Sequence, residues 1–142
     1  MIRLLAALCF AGVLAWPATA EVNIAGHWSF EANIEGDCTF GGTAHLERTS
    51  ETQFKGELTA RQSCPELPED YLVRQDCRAS QLGNQLSVRC HIVEFVNGFA
   101  SEFYYPDNFT LTIESSKRLH GALVSAGRAR PAEWVRDERG IS

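Results

Sequence analysis

The stretch Val73–Glu94, VRQDCRASQLGNQLSVRCHIVE, decides the fold. Two runs of alternating character, Val73–Leu82 and Gln85–Glu94, flank the pair Gly83-Asn84. A Gly-Asn pair between such runs predicts a two-residue hairpin loop, because glycine accepts the positive φ that a type II′ turn needs first. With those two residues as the loop, Leu82 pairs with Gln85 and every outward step keeps that register. Cys77 then faces Cys90 in a non-hydrogen-bonded pair, where Cα atoms lie ~4.5 Å apart, just inside the range a disulfide tolerates. One face of the hairpin carries Tyr71, Val73, Gln75, Cys77 and Ala79 against Leu86, Val88, Cys90, Ile92 and Glu94.

The same counting works upstream. Cys38–Arg48 and Gln53–Cys64 alternate in the same way around a polar loop at Ser50–Thr52. That loop pairs Leu46 with Gly56, Ala44 with Leu58 and Gly42 with Ala60, and it brings Cys38 opposite Cys64. Four cysteines allow three connectivities. The register favours Cys38–Cys64 with Cys77–Cys90; the rival, Cys64–Cys77 with Cys38–Cys90, joins different levels of the sheet and fits less well.

Four cysteines is the count once the leader is set aside. In Met1–Ala20, Arg3 gives a positive start, Leu4–Trp16 is apolar, and Ala18-Thr19-Ala20 is a small-x-small cleavage signal. The apolar run is too short to span a bilayer, and Cys9 reads as an ordinary leader residue. The expected organisation is therefore a signal peptide at 1–20 and one β-barrel domain at 21–142. The chain carries 13 basic and 18 acidic residues, and Arg3 is the leader's one charge, so the mature part holds 12 against 18, a net charge of −6. That balance argues against nucleic acid or an anionic membrane as partner. No later run is long and apolar enough to span a membrane. An even number of cysteines in an exported chain implies disulfides and a secreted or periplasmic location.

Further alternating runs complete the set. Gly26–Ile34 places Trp28, Phe30, Ala32 and Ile34 on one face; Asp107–Ser115 places Phe109, Leu111 and Ile113. Arg118–Gly127 carries Leu119, Gly121 and Leu123 inward, and Ala132–Arg136 centres on Trp134. No stretch has helical periodicity. The expected fold is all-β: a single antiparallel up-and-down barrel of about eight strands, closed at one end and held by two disulfides. Closure removes both exposed edges; a two-sheet sandwich would need a long crossover, and none is evident. The tight turns at 50–52, 83–84 and 115–117 fall at one end. The longer loops at Pro65–Asp70 and Asn97–Pro106 fall at the other, which is the mouth. Trp28 begins the first strand at the tight end and Arg136 finishes the last strand there, so closure brings them together.

Gly26-His27-Trp28 on the first strand, with Arg136 on the last, resembles the lipocalin and calycin superfamily. Avidin-like proteins and small periplasmic inhibitors of secreted metalloproteases begin a barrel in a similar way. The resemblance implies that Trp28 and Arg136 close the barrel base by packing guanidinium on ring.

Chemistry is sparse. His27, His45, His91 and His120 all fall on the parity opposite to the apolar face, so all point to solvent, which argues against an interior metal site or a buried general base. No phosphate loop or nucleophile constellation is present, and neither metal nor cofactor is expected. A hydrolase or isomerase would need an inward histidine or a carboxyl pair, and Glu94 alone qualifies. What remains is the mouth. Phe40, Gln62, Tyr71, Gln75 and Glu94 point inward at or near it, and polar groups in a small apolar cavity fix ligand orientation. The loop aromatics Phe99, Phe103, Tyr104 and Tyr105 either contact a ligand or partner or fold back over the core. The reading is a non-enzymatic exported barrel binding a small or apolar molecule, with Phe40, Gln62, Tyr71, Gln75, Glu94, Tyr104 and Tyr105 as candidate ligand contacts. The alternative is a protein-interaction module, such as a secreted-protease inhibitor, that holds an exported protein through loop 97–106.

Overall fold

The structure, a computed structural model, describes residues 12–13 and 22–139. The expected leader lies outside the described residues apart from Gly12 and Val13. Eight strands follow in order: β1 Gly26–Ala32, β2 Thr39–Arg48, β3 Gln53–Ser63, β4 Tyr71–Leu82, β5 Gln85–Asn97, β6 Asn108–Ser115, β7 Arg118–Ser125 and β8 Arg128–Arg136. Each pairs antiparallel with the next, and β1 pairs with β8, so the sheet closes into a barrel. Among the described residues no helix is long and apolar enough to cross a membrane.

The turn at Gly83-Asn84 sets its strands as the alternation requires. Gly83 has φ +59°, Leu82 pairs with Gln85 and Cys77 with Cys90. The two disulfides are Cys77–Cys90, with Cα atoms 4.1 Å apart, and Cys38–Cys64, at 4.2 Å. Pairing of β2 with β3 matches Leu46 to Gly56, Ala44 to Leu58 and Gly42 to Ala60. Two disulfides fit an oxidising compartment.

Three departures from the sequence reading matter. First, β8 begins at Arg128, not Ala132, because the turn is tight at Ala126-Gly127. Arg130 therefore lies on the strand in the same parity as Ala132 and Trp134, paired with Leu123. Second, β5 slips against β4 twice: Gln75 pairs with Ile92 but Arg74 with Glu94, and Val73 pairs with Phe95 but Leu72 with Asn97. Each slip inserts one extra residue, and a one-residue slip exchanges the faces of everything beyond it. Glu94 is thus outside the barrel, bonded to Arg74 at 3.2 Å, and Phe95 turns inward instead. The run Ile92-Val93-Glu94-Phe95-Val96 explains this. Strict alternation would bury an unpaired carboxylate, which is far costlier than exposing a valine, and Val96, which strict alternation would turn inward, is 51% exposed in exchange. Third, β5 pairs with β6 only through Gln85–Val88. The upper half of β5 has no strand neighbour on that side, and the segment between β5 and β6 folds back into the gap.

Below the mouth the barrel is filled by side chains. Trp28, Trp134, Phe30, Phe109 and Phe40 form a connected column of rings, with centroid separations from 5.1 to 6.4 Å. Leu46, Phe54, Leu58, Leu86, Leu111 and Leu119 surround it. Eight strands enclose about as much space as such side chains fill. At the closed end, residues Val22–Ala25 cross the base, and Ile24 is fully buried. The Trp28 indole donates to the Ile24 carbonyl at 2.9 Å. The Arg136 guanidinium lies 4.5 Å from the centre of the Trp28 ring, and it donates to the carbonyls of Asn23, Ala25 and Ser116 at 2.8, 2.6 and 2.6 Å. Gly26 permits this: its φ is +122°, and a Cβ there would stand 2.6 Å from Arg136 Nη1.

Candidate functional site

The mouth lies above Phe40 and is framed by four connections: 33–38, 64–70, 98–107 and the tight Ala126-Gly127 turn. An open hollow of about 410 Å³ sits there, lined by Ile34, Phe40, Gln62, Asp107, Leu123 and Arg130, with Glu35 and Arg128 at its rim. Cys38 also lines it, so the Cys38–Cys64 disulfide fixes one side of the opening.

Asp107 is the unusual group. It is only 3% exposed and precedes β6, on the same parity as Phe109, Leu111 and Ile113. Gln75, fully buried on β4, grips it from both sides. Its Nε2 donates to Asp107 Oδ2 at 2.6 Å, and its Oε1 accepts the Asp107 N–H at 2.9 Å. The Tyr104 hydroxyl donates to the same carboxylate oxygen at 2.9 Å. Burial pushes the Asp107 carboxyl up to about 6, against the pull of the two hydrogen bonds from Gln75 and Tyr104. The Tyr104 hydroxyl is raised beyond its ordinary range, first by burial, then by the neighbouring Asp107 charge and hydrogen bond. Among the described residues the buried side chains with polar ends are Gln75, Gln81 and Asp107. Among the described residues the interior thus holds a single buried carboxyl, Asp107, and no histidine.

Tyr104 belongs to a second cluster. Its ring lies 5.4 Å from Tyr71 and 5.8 Å from Phe95, and Tyr71 and Phe95 lie 6.3 Å apart. These three rings fill the gap where β5 has left β6. The rest of the loop faces outward: Phe99 is 73% exposed, Phe103 80% and Tyr105 50%. Opposite, Arg130 reaches over the hollow from β8, and its guanidinium meets Glu35 at 2.6 Å. Arg128 meets the same carboxylate at 2.8 Å. These two arginines hold Glu35 below the usual carboxylate range, the hydrogen bond from Arg130 being the largest cause.

The structure therefore divides the expected site residues. Phe40 and Gln62 line the hollow. Gln75 holds Asp107 from β4, and Tyr71 and Tyr104 pack on each other beside that pair, outside the lining of the hollow. Tyr105 is outside and borders a separate depression with Pro106 and Asn108. Glu94 is on the outer surface. The inward polar groups missing from the sequence reading are Asp107 and Arg130. Asp107 was legible from its place two residues before Phe109 in an alternating strand. Arg130 joins the inward face because the turn is confined to Ala126-Gly127 and β8 begins at Arg128.

No protein-family model matches the chain, and no curated protein matches it. Solved structures similar in fold include a redesigned β-barrel bound to DFHBI, at 11% identity and TM-score 0.61 over 80% of this chain and 94% of that one. A de novo designed fluorescence-activating β-barrel is similar at 12% identity and TM-score 0.58, over 80% of this chain and 93% of that one. At such identities the likeness is one of fold: an eight-stranded antiparallel barrel.

Proposed function

We propose that the protein is an exported, non-enzymatic, lipocalin-like barrel that binds a small, largely apolar molecule at its mouth. The observation that carries this reading is the buried Asp107 carboxyl, held by Gln75 and Tyr104 at the edge of an open hollow. Desolvating a carboxyl is costly, and a fold that only needed a filled barrel would place an apolar residue there. Apolar walls with a few convergent polar groups are the make-up of ligand sites. Phe40 and Leu123 would take the apolar body of the ligand; Gln62, Asp107 and the Arg130–Glu35 pair would set its orientation. The redesigned barrel of similar fold, bound to DFHBI, is consistent with a small molecule as ligand. The Trp28–Arg136 packing supports the lipocalin-like reading, and the leader with two disulfides supports export.

Native mass spectrometry of the protein recovered from its own host tests this. The expected spectrum shows a chain beginning at Glu21 that carries a small-molecule adduct, lost under denaturing conditions. A chain found at bare polypeptide mass, and equally unable to take up an apolar fluorescent dye, would overturn ligand binding.

A second reading has its own observation. Phe99 and Phe103 project into solvent, and exposed aromatic side chains in a loop are typical anchors for protein partners. On this reading loop 97–106 holds an exported protein, and the mouth is only its base.

A further inference from the structure

One level of the outer wall gathers three of the four histidines. His27 pairs with His45, His45 with Glu57, Glu57 with Asp76, and Asp76 with His91. On the other side of His27, the Asp137 N–H bonds to the His27 carbonyl at 2.9 Å. Directly opposed residues on one face of a sheet lie ~4.5–5.5 Å apart at Cβ. The row therefore runs acid, imidazole, imidazole, acid, acid, imidazole. His120 stands apart, opposite Thr112 and Glu133.

Reach selects the members that can act together. His45 and His91 are three strand spacings apart, ~14 Å, on a wall that curves away from itself. One ion cannot hold both. His27, His45 and Glu57 span two spacings, ~10 Å, which side chains leaning towards the central strand can close. The His27 and His45 rings are already stacked, centroids 4.2 Å apart and 6° from parallel. Both are half-buried. They share a hollow of about 160 Å³ with Glu57 and Asp137. Among the described residues Glu57 is otherwise held only by Arg74, at 3.6 Å on the surface, a long contact that is easily given up. Imidazole nitrogen with a carboxylate oxygen is a ligand set that suits zinc and copper.

We propose that His27 and His45, completed by the Glu57 carboxylate, form a surface site for a divalent transition ion of the zinc and copper class. Water fills the remaining positions. Asp137 acts as a positioning residue beside His27, the common role of a carboxylate next to a ligating imidazole. The site lies on the outer wall and does not depend on ligand binding at the mouth. The trio Cys38, Cys64 and Glu66 at the mouth offers no rival, because its sulfurs are joined in a disulfide.

The test uses the tag-free, chelator-treated full domain, titrated with zinc chloride and with copper(II) chloride. Calorimetry should give one ion per chain. In the unmutated protein, zinc should shift the imidazole nitrogen resonances of His27 and His45 and leave those of His91 and His120 in place. Affinity should fall about tenfold or more in His27→Gln and in His45→Gln, and about tenfold in Glu57→Gln; His91→Gln should leave it unchanged. Absence of heat and of imidazole shifts at millimolar zinc and copper would overturn the proposal. So would shifts centred on His91 or His120, or binding that survives the His27→Gln, His45→Gln double change. The resonance shifts are read on the unmutated protein, so they stand even where a variant folds poorly.

Discussion

Replacing Trp28 by alanine should cost about 3–5 kcal/mol of stability, with a fall in Tm of more than about 10 °C. The side chain is fully buried at the closed end, and three separate interactions end on it. Its ring packs against Trp134 at 6.4 Å, its indole N–H holds the Ile24 carbonyl, and its outer face carries the Arg136 guanidinium. Alanine removes the ring and leaves the guanidinium over a cavity. The base segment Val22–Ala25 loses its anchor to the core at the same time. Thermal unfolding followed by calorimetry checks this, with Arg136→Lys as companion. Lysine keeps the charge but cannot reach three carbonyls as a planar fork, so it should cost less than Trp28→Ala but still measurably destabilise. A loss under about 1 kcal/mol for Trp28→Ala would show that the base is held elsewhere.

The second large effect is on pH. Asp107 titrates at about 6 in the folded protein against an ordinary value of 3.8. Between those values the folded chain binds more protons than the unfolded chain, so stability falls as pH rises through that window and levels off above it. A shift of about two units corresponds to roughly 3 kcal/mol of destabilisation, fully present above about pH 6 and absent below about pH 4. Asp107→Asn removes the titration. Urea unfolding of both proteins from about pH 4 to about pH 7 should show curves that diverge by about this amount, the Asn variant losing less as pH rises. Whatever hydrogen bonding the substitution sacrifices is nearly constant with pH, so the divergence is the quantity to read. Parallel curves would mean that the carboxyl is hydrated in solution rather than buried under Tyr104.

How far the sequence carries depends on whether a single turn controls the residues in question. Around Gly83-Asn84 the register follows from the glycine and propagates without interruption to Gln75 and Ile92. Both disulfides lie within that reach of a tight turn. Beyond Ile92 the alternation fails, and five residues with four apolar side chains cannot all face inward. The conflict between Glu94 and Phe95 is visible in the sequence, but its resolution by a slip between Gln75 and Arg74 depends on Arg74 standing opposite, which is a tertiary fact. Asp107 was within reach of the same parity argument used for Phe109. A carboxylate is costly to bury without a partner, and the partner that makes it possible, Gln75, lies 32 residues away in the chain. The outward parity of the four histidines was readable, and it discouraged an interior metal site. That three of them share one level with three carboxylates emerges only when four separate registers, together with the β8 closure, are fixed at once.

The central claim is that the mouth, and not the aromatic loop, takes the ligand. The measurement that meets it most directly is a titration of the isotope-labelled protein with an apolar anilinonaphthalene dye, followed by nuclear magnetic resonance. The account predicts saturable shifts at Gln62, Asp107, Leu123 and the Gln75 side-chain amide, with the Trp28 indole N–H unmoved and binding lost in Leu123→Glu. Shifts confined to Phe99 and Phe103 on the exposed loop, or no saturable shift at all, would contradict it.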